Sequence, residues 1–320
     1  MDQGVEPAVP PGPARIADYI FLLRPMILIP VWTFYLLGAW HGRSASGLPI
    51  PTFPLLIGLV SFTALLGAVY IINQISDREV DLKGGKLFLL SHSIVTARAA
   101  ALEASLLISL SLALGIIFMP ALFTVLLLLG LGLGLAYSIE PVRLKRRPVL
   151  DVLANAAGNG ILNTLAGWVA VGAPLEGLLV LAPYPLAVAS VHLTTTLADI
   201  EGDSAGGLRT SGAALGARRA TVIAAGLMAA AAAAATAVDN RPAFYASLIS
   251  LPIFLIPVRS SKREDAAPTV LLPAKAATLF FSVAAGFLFP LYIPFLALAV
   301  LCTRRYYRIR FGIVYPGLKQ

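Results

Sequence analysis

The stretch Ala121-Leu-Phe-Thr-Val-Leu-Leu-Leu-Leu-Gly130-Leu-Gly-Leu-Gly-Leu135 decides the fold class. It holds no charge and no alternation of apolar with polar side chains. A transmembrane β-barrel would alternate in segments of about ten residues, so the stretch argues against a barrel. The rest of the chain has the same character. Of its 320 residues, 58% are apolar and 12% are charged, about half the roughly 25% charged fraction of soluble domains. With a mean hydropathy of +0.85 and repeated apolar runs, one water-soluble core cannot cover the apolar surface, so lipid is the solvent. The chain reads as an all-α, polytopic membrane protein.

Apolar windows between polar or proline-containing breaks fall near 25–40, 54–75, 94–118, 121–139, 149–172, 178–198, 218–238, 242–258 and 274–303, which makes nine transmembrane helices. The last window is interrupted at Pro290 and Pro294 and reads either as one long kinked helix or as two short ones. One kinked span is expected, because half of that window is too short to cross roughly 30 Å of hydrocarbon. Apart from Arg43, Arg241 and the tail residues Arg304, Arg305, Arg308, Arg310 and Lys319, the Lys and Arg residues flank the N-terminal lead and the even-numbered loops. Basic loops stay in the cytoplasm, so the net charge of +8 is a topology signal and not a nucleic-acid footprint. Nine spans would leave the basic tail outside, against this rule. Residues 1–15 are acidic and proline-rich and read as a disordered lead, 16–303 as one transmembrane domain, and 304–320 as a basic tail. The single cysteine, Cys302, cannot form an internal disulfide. Seven consecutive alanines, Ala229 to Ala235, read as a close helix–helix contact.

Six of the 16 acidic residues sit in two short windows. Asp77, Glu79 and Asp81 follow the second span; Asp199, Glu201 and Asp203 follow the sixth. Spacing of four puts Asn73, Asp77 and Asp81 on one helical face, and Asp199 and Asp203 repeat it. Two facing carboxylate ladders repel unless cations lie between them. Oxygen ligands without Cys or His suit a hard cation such as Mg²⁺, which takes phosphate oxygens to complete its shell. Tyr137-Ser-Ile-Glu-Pro141-Val-Arg143-Leu-Lys145-Arg146-Arg147-Pro148 supplies the cations for such a phosphate. Glu79 and Glu201 fall off the shared faces and read as solvated or as supporting the ligands from behind. Asn155, Asn159, Asn163, His192 and Thr194 to Thr196 lie inside spans and read mainly as interhelical hydrogen-bonding groups, with acceptor binding a minor alternative.

At these residues the chain resembles the UbiA superfamily of intramembrane prenyltransferases. That family carries N-x-x-x-D-x-x-x-D after its second helix and D-x-x-x-D after its sixth. Here the motifs are Asn73/Asp77/Asp81 and Asp199-Ile-Glu-Gly-Asp203-Ser-Ala-Gly-Gly207-Leu-Arg-Thr210, and Tyr137-Ser138 with its basic loop is similar to a third recurrent segment. The resemblance implies a helical bundle around a central cavity with a cytoplasmic cap and two Mg²⁺ ions. The ions bind the diphosphate of a prenyl donor, whose allylic carbocation is attacked by a lipophilic acceptor: a quinone precursor, a tetrapyrrole, a glycerol phosphate lipid or a carotenoid. By the same resemblance Asn73, Asp77 and Asp81 serve one ion and Asp199 and Asp203 the other, with the four aspartates as the catalytic set. Lys145, Arg143 or Arg147 holds the leaving diphosphate, with Tyr137 beside it and Lys86 in place of a usual arginine. The chain departs from the family at Gln74, where many members have Asp, at Gly84-Gly85-Lys86, and at Ser211-Gly-Ala after Thr210. A membrane terpene cyclase would use the same site. A transporter fits less well, because such proteins place ionisable groups near the bilayer midplane and these carboxylates lie at span ends.

Overall fold

The computed structural model describes residues 12–83, 88–198, 210–259, 270–313 and 315, and among these every regular element is helical. A short helix α1 (Ile16–Leu22) leads at a bend of 50° into α2 (Pro25–Ser46). Arg24 makes the bend with φ of 56°, Pro25 takes the first helical position where its missing N–H costs nothing, and Gly47 ends α2 at φ of 67°. Next come α3 (Thr52–Lys83), α4 (Phe88–Ser91), α5 (Ala97–Phe118) and α6 (Ala121–Ser138). Thr96 caps α5 by accepting from Ala99 N at 3.2 Å.

A turn at Leu144–Arg146 precedes α7 (Leu150–Asn155), which widens into a π-helical stretch at Ala156–Leu162 and returns to α geometry as α8 (Asn163–Ala170). The remaining helices are α9 (Pro183–Ala198), α10 (Ser211–Leu215), α11 (Ala217–Ala237), α12 (Arg241–Arg259), α13 (Leu272–Leu288) and α14 (Tyr292–Phe311).

The bundle exposes large apolar side chains and buries polar ones within an otherwise apolar core. Leu102, Leu106, Leu110, Ile116 and Ile117 of α5 are exposed, while Thr33, Ser61, Ser111, Asn163 and Ser190 are buried. Five described helices are long and apolar enough to cross a membrane, six if α1 and α2 count as one bent span, and two shorter apolar helices accompany them. The protein is an integral membrane protein.

Small residues set the closest helix contacts. A Cβ on Gly38 of α2 would lie 1.8 Å from Thr164 O of α8, and one on Gly167 of α8 would lie 1.8 Å from Tyr35 O of α2. Only glycine fits at either place, so the two backbones touch through a reciprocal pair. The alanine run behaves as expected: Ala231, Ala232 and Ala235 are buried where α11 packs on α9 and α12.

The window 274–303 corrects the sequence reading. It is two helices, α13 and α14, joined through Phe289–Leu291 and folded back as a hairpin. Pro290 disfavours helical geometry at Phe289, which closes α13 at φ of −129°. Thr33 of α2 bonds both arms, Ser282 Oγ at 2.9 Å and Tyr292 Oη at 2.7 Å. α14 then continues through residues 304–311, which the sequence reading assigned to the tail. It returns to the N-terminal end of the bundle. There the fully buried Asp18 accepts from Tyr306 Oη at 2.7 Å and Arg310 Nη2 at 3.0 Å, and Phe21 stacks on Tyr306 at 3.8 Å.

Candidate active site at the cap of the bundle

The length of α3 places the first acidic motif. Its 32 residues measure about 48 Å at 1.5 Å per residue, well beyond roughly 30 Å of hydrocarbon. The helix is thus longer than a crossing needs, and its charged residues, from Asp77 onward, gather at its C-terminal end. Two bonds clamp this end to the end of α6: Asn73 Nδ2 donates to Ser138 Oγ at 3.0 Å and Ser76 Oγ donates to Ser138 O at 2.9 Å. Gln74 takes no part in this face. It is buried, and its Nε2 donates to Leu22 O at 2.8 Å and Tyr70 O at 3.0 Å, tying α3 to the end of α1. The amide at this position, where many members of the resembled family have Asp, is a structural anchor.

Asp77 gathers the cationic loop. Arg143 Nη2 donates to Asp77 Oδ1 at 3.0 Å, and the Lys145 ammonium contacts both carboxylate oxygens. Arg143 takes a left-handed φ of 37°, which turns the chain so that both side chains point back at α3. Both are 8% exposed. Burial pulls the Lys145 ammonium below the ordinary lysine value, and the charges of Asp77 and Asp81 oppose that shift. Two cations on one carboxylate leave positive charge to spare. Arg143 Nη1 is held by Glu140 at 2.9 Å, while its Nε is buried and finds no acceptor among the described residues. Arg146 Nε is in the same condition. Buried, unsatisfied donors of this kind suit an anion.

Not every expected residue joins the cluster. Arg147 donates to Pro141 O at 3.2 Å and its charge acts on Glu140, with no hydrogen bond to Asp77 among the described residues, and Glu79 is exposed. Tyr137 faces the bundle interior, its ring meeting His192 edge-on at 6.5 Å. Lys86, Asp199 and Asp203 lie outside the described residues, as does Glu201. Among the described residues no three His, Cys, Asp or Glu side chains come together closely enough to hold a metal. The described half of the site still has the donor chemistry of a hard cation: Asn73 and two carboxylates one turn apart, with Asp77 already drawing positive charge to the place.

One part of the cap escaped the sequence reading. Asp151, at the start of α7 and 1% exposed, accepts from Ser211 N and Val152 N at 2.8 Å each and from the Ser211 hydroxyl. Ser211 Oγ in turn accepts from Val149 N at 2.7 Å. Gly212 N donates to Thr196 Oγ1 at 3.1 Å, and a Cβ on Gly212 would meet Thr196 O at 2.8 Å. The chain leaving the second acidic motif is thus pinned to both α7 and α9. The available signal was the departure at Ser211-Gly-Ala, together with a lone acid at the start of an apolar span.

Comparisons with known proteins were made against this geometry. The sequence model described as the UbiA prenyltransferase family matches residues 27–272. A lycopene elongase/hydratase of Halobacterium salinarum is 30% identical over 246 residues, covering 75% of this chain and 86% of that protein. A probable chloroplastic homogentisate phytyltransferase of Oryza sativa is 28% identical over 211 residues, 63% of this chain and 55% of its own. Among solved structures, a UbiA homolog from Archaeoglobus fulgidus bound to GPP and Mg²⁺ superposes with a TM-score of 0.65 at 24% identity, covering 84% of this chain and 98% of its own.

Proposed function

Because the chain belongs to the UbiA prenyltransferase family, and so is a transferase of prenyl groups, we propose that it moves a prenyl group from an allylic diphosphate to the end of an acyclic carotenoid. The observation that carries the donor half is the convergence of Arg143 and Lys145 on Asp77, with Arg143 Nε buried and unsatisfied beside them. Cations so placed would clamp the diphosphate oxygens and stabilise the charge that grows on the leaving group. Asn73, Asp77 and Asp81 would hold one Mg²⁺, with Asp199 and Asp203 proposed for a second. Bound there, Mg²⁺ would neutralise charge on the departing diphosphate. Lys145 would then pass from Asp77 to the diphosphate. The cap is assigned to the cytoplasmic side from the distribution of Lys and Arg. The carotenoid acceptor rests on the similarity to the lycopene elongase/hydratase.

The test is direct. Purified protein is incubated with Mg²⁺, dimethylallyl diphosphate and lycopene, and the pigments are analysed by mass. A product one prenyl unit heavier, lost when EDTA removes the metal, is expected. A prenylated homogentisate in a parallel incubation, with lycopene unchanged, would move the acceptor to the aromatic class.

A further inference from the structure

Prenyl transfer to carbon leaves the acceptor with a surplus proton, and a group beside the reacting carbons has to accept it. At the cap three of the described acids are engaged elsewhere: Asp77 with Arg143 and Lys145, Glu140 with Arg143 and Arg146, Asp151 with Ser211 and Val152. His192 differs from them. It projects from α9 and stays partly accessible while Leu193 and Thr194 beside it are buried. Its ring meets Tyr137 of α6, and its Nε2 lies 3.3 Å from Asn155 Nδ2 of α7. Tyr137 adjoins Ser138, which holds Asn73. The imidazole therefore lies just inside the turn that carries the first acidic motif, where a prenyl chain leaving its diphosphate would enter the bundle.

We propose that His192 is the base that takes the acceptor's proton, and that a ladder of carboxamides positions it; the inference rests on the prenyl-transfer reading above. The ladder descends from the ring. Asn159 Nδ2 donates to Asn155 Oδ1 at 3.1 Å, and Asn163 Nδ2 to Asn159 Oδ1 at 3.1 Å. Turned over together, the three carboxamides make the same contacts in the opposite sense, because oxygen and NH₂ occupy nearly identical positions. In one sense Asn155 donates to a bare Nε2. In the other it accepts from Nε2–H and leaves the lone pair on Nδ1. Imidazolium needs the second sense. At the far end Asn163 Oδ1 is buried with no partner among the described residues, so turning the ladder exchanges an unpaired oxygen for an unpaired NH₂. It also sets Asn155 Oδ1 against Asp151 O in place of a 3.5 Å contact from Asn155 Nδ2, and the second sense therefore prevails only once both ring nitrogens carry protons.

The electron count closes. The bond from C1 to the diphosphate oxygen breaks with both electrons going to the diphosphate. The π pair of the acceptor forms the new carbon–carbon bond and leaves a cation. The adjacent C–H bond then breaks, its electrons restore a double bond, and its proton passes to the His192 lone pair. Imidazolium later returns the proton to water.

The test measures two products of one turnover, prenylated acceptor and free diphosphate, in purified protein given Mg²⁺ and dimethylallyl diphosphate with lycopene or homogentisate. In His192→Gln, prenylated product should fall about 100-fold, the scale of a lost general base. Diphosphate release should stay within about 3-fold of wild type, because ionisation does not need the base and water then captures the allylic cation as a prenol. His192→Phe, which keeps an aromatic ring against Tyr137, should give the same split. Asn155→Leu, at a positioning residue, should raise the ratio of diphosphate to product by a smaller factor. Parallel loss of both products, or undiminished prenylation in His192→Gln, overturns the proposal. Wild-type protein that releases diphosphate yet prenylates neither acceptor overturns the acceptor reading and this one together.

Discussion

At the scale of single residues, the cap works by crowding charge around Asp77. Asp77→Ala removes the carboxylate that Arg143 and Lys145 share, so it should lower both prenylated product and diphosphate release by about 100-fold or more, the scale of one lost electrostatic contact in a preorganised site. Activity near wild type would remove Asp77 from the site. Arg143→Lys keeps the charge but not the planar fork that meets Glu140 and Asp77 at once. Its expected signature is a KM for the donor raised by about 10-fold, or 1.4 kcal/mol of binding, with kcat less affected. An unchanged KM would mean that the donor binds elsewhere. Arg147, whose guanidinium faces Pro141 O, should tolerate Ala with little change. The spacing of four made Asn73, Asp77 and Asp81 legible in the sequence, because helical periodicity converts directly into a shared face. Whether Arg143, Lys145, Arg146 or Arg147 reaches the acid was not legible. That depends on the left-handed φ at Arg143, which no neighbouring glycine announces.

Among the elements, the segment after the second acidic motif depends on α7. Asp151→Ala would leave Ser211 N buried without an acceptor and should destabilise the protein by about 2–3 kcal/mol. Thermal denaturation in detergent would read this as a lower Tm, and an unchanged Tm would show the clip to be dispensable. The sequence concealed it because Asp151 and Ser211 stand 60 residues apart and neither belongs to a periodic pattern. The contact of α2 with α8 is the more severe constraint. Gly167→Ala forces a methyl group into Tyr35 O, so the helices must separate, at a cost of at least about 2 kcal/mol. Wild-type Tm in that variant would contradict the close approach. Glycines inside apolar windows give no sign of which neighbour they admit, so this pairing was unreadable beforehand, whereas the seven alanines announced theirs by number.

Across the whole molecule, the hairpin of α13 and α14 sends the C-terminal end back to the side on which the chain enters. Tags at the two termini should therefore be cut by protease from the same side of sealed vesicles. Opposite accessibility would refute the hairpin. The all-helical class was legible because apolar runs need no partner to be recognised; the turn at Phe289 was not, because prolines permit a kink or a reversal alike. The closure around Asp18 also bears on biogenesis. A ribosome delivers α1 some 290 residues before Arg310, the cation that neutralises its buried carboxylate. Until α14 has been made, that carboxylate lacks its cation, so this part of the bundle can close only after α14 is in place. Chains truncated before α14 would carry an unmatched anion at the lipid boundary, a mark by which membrane quality control could tell unfinished copies from complete ones.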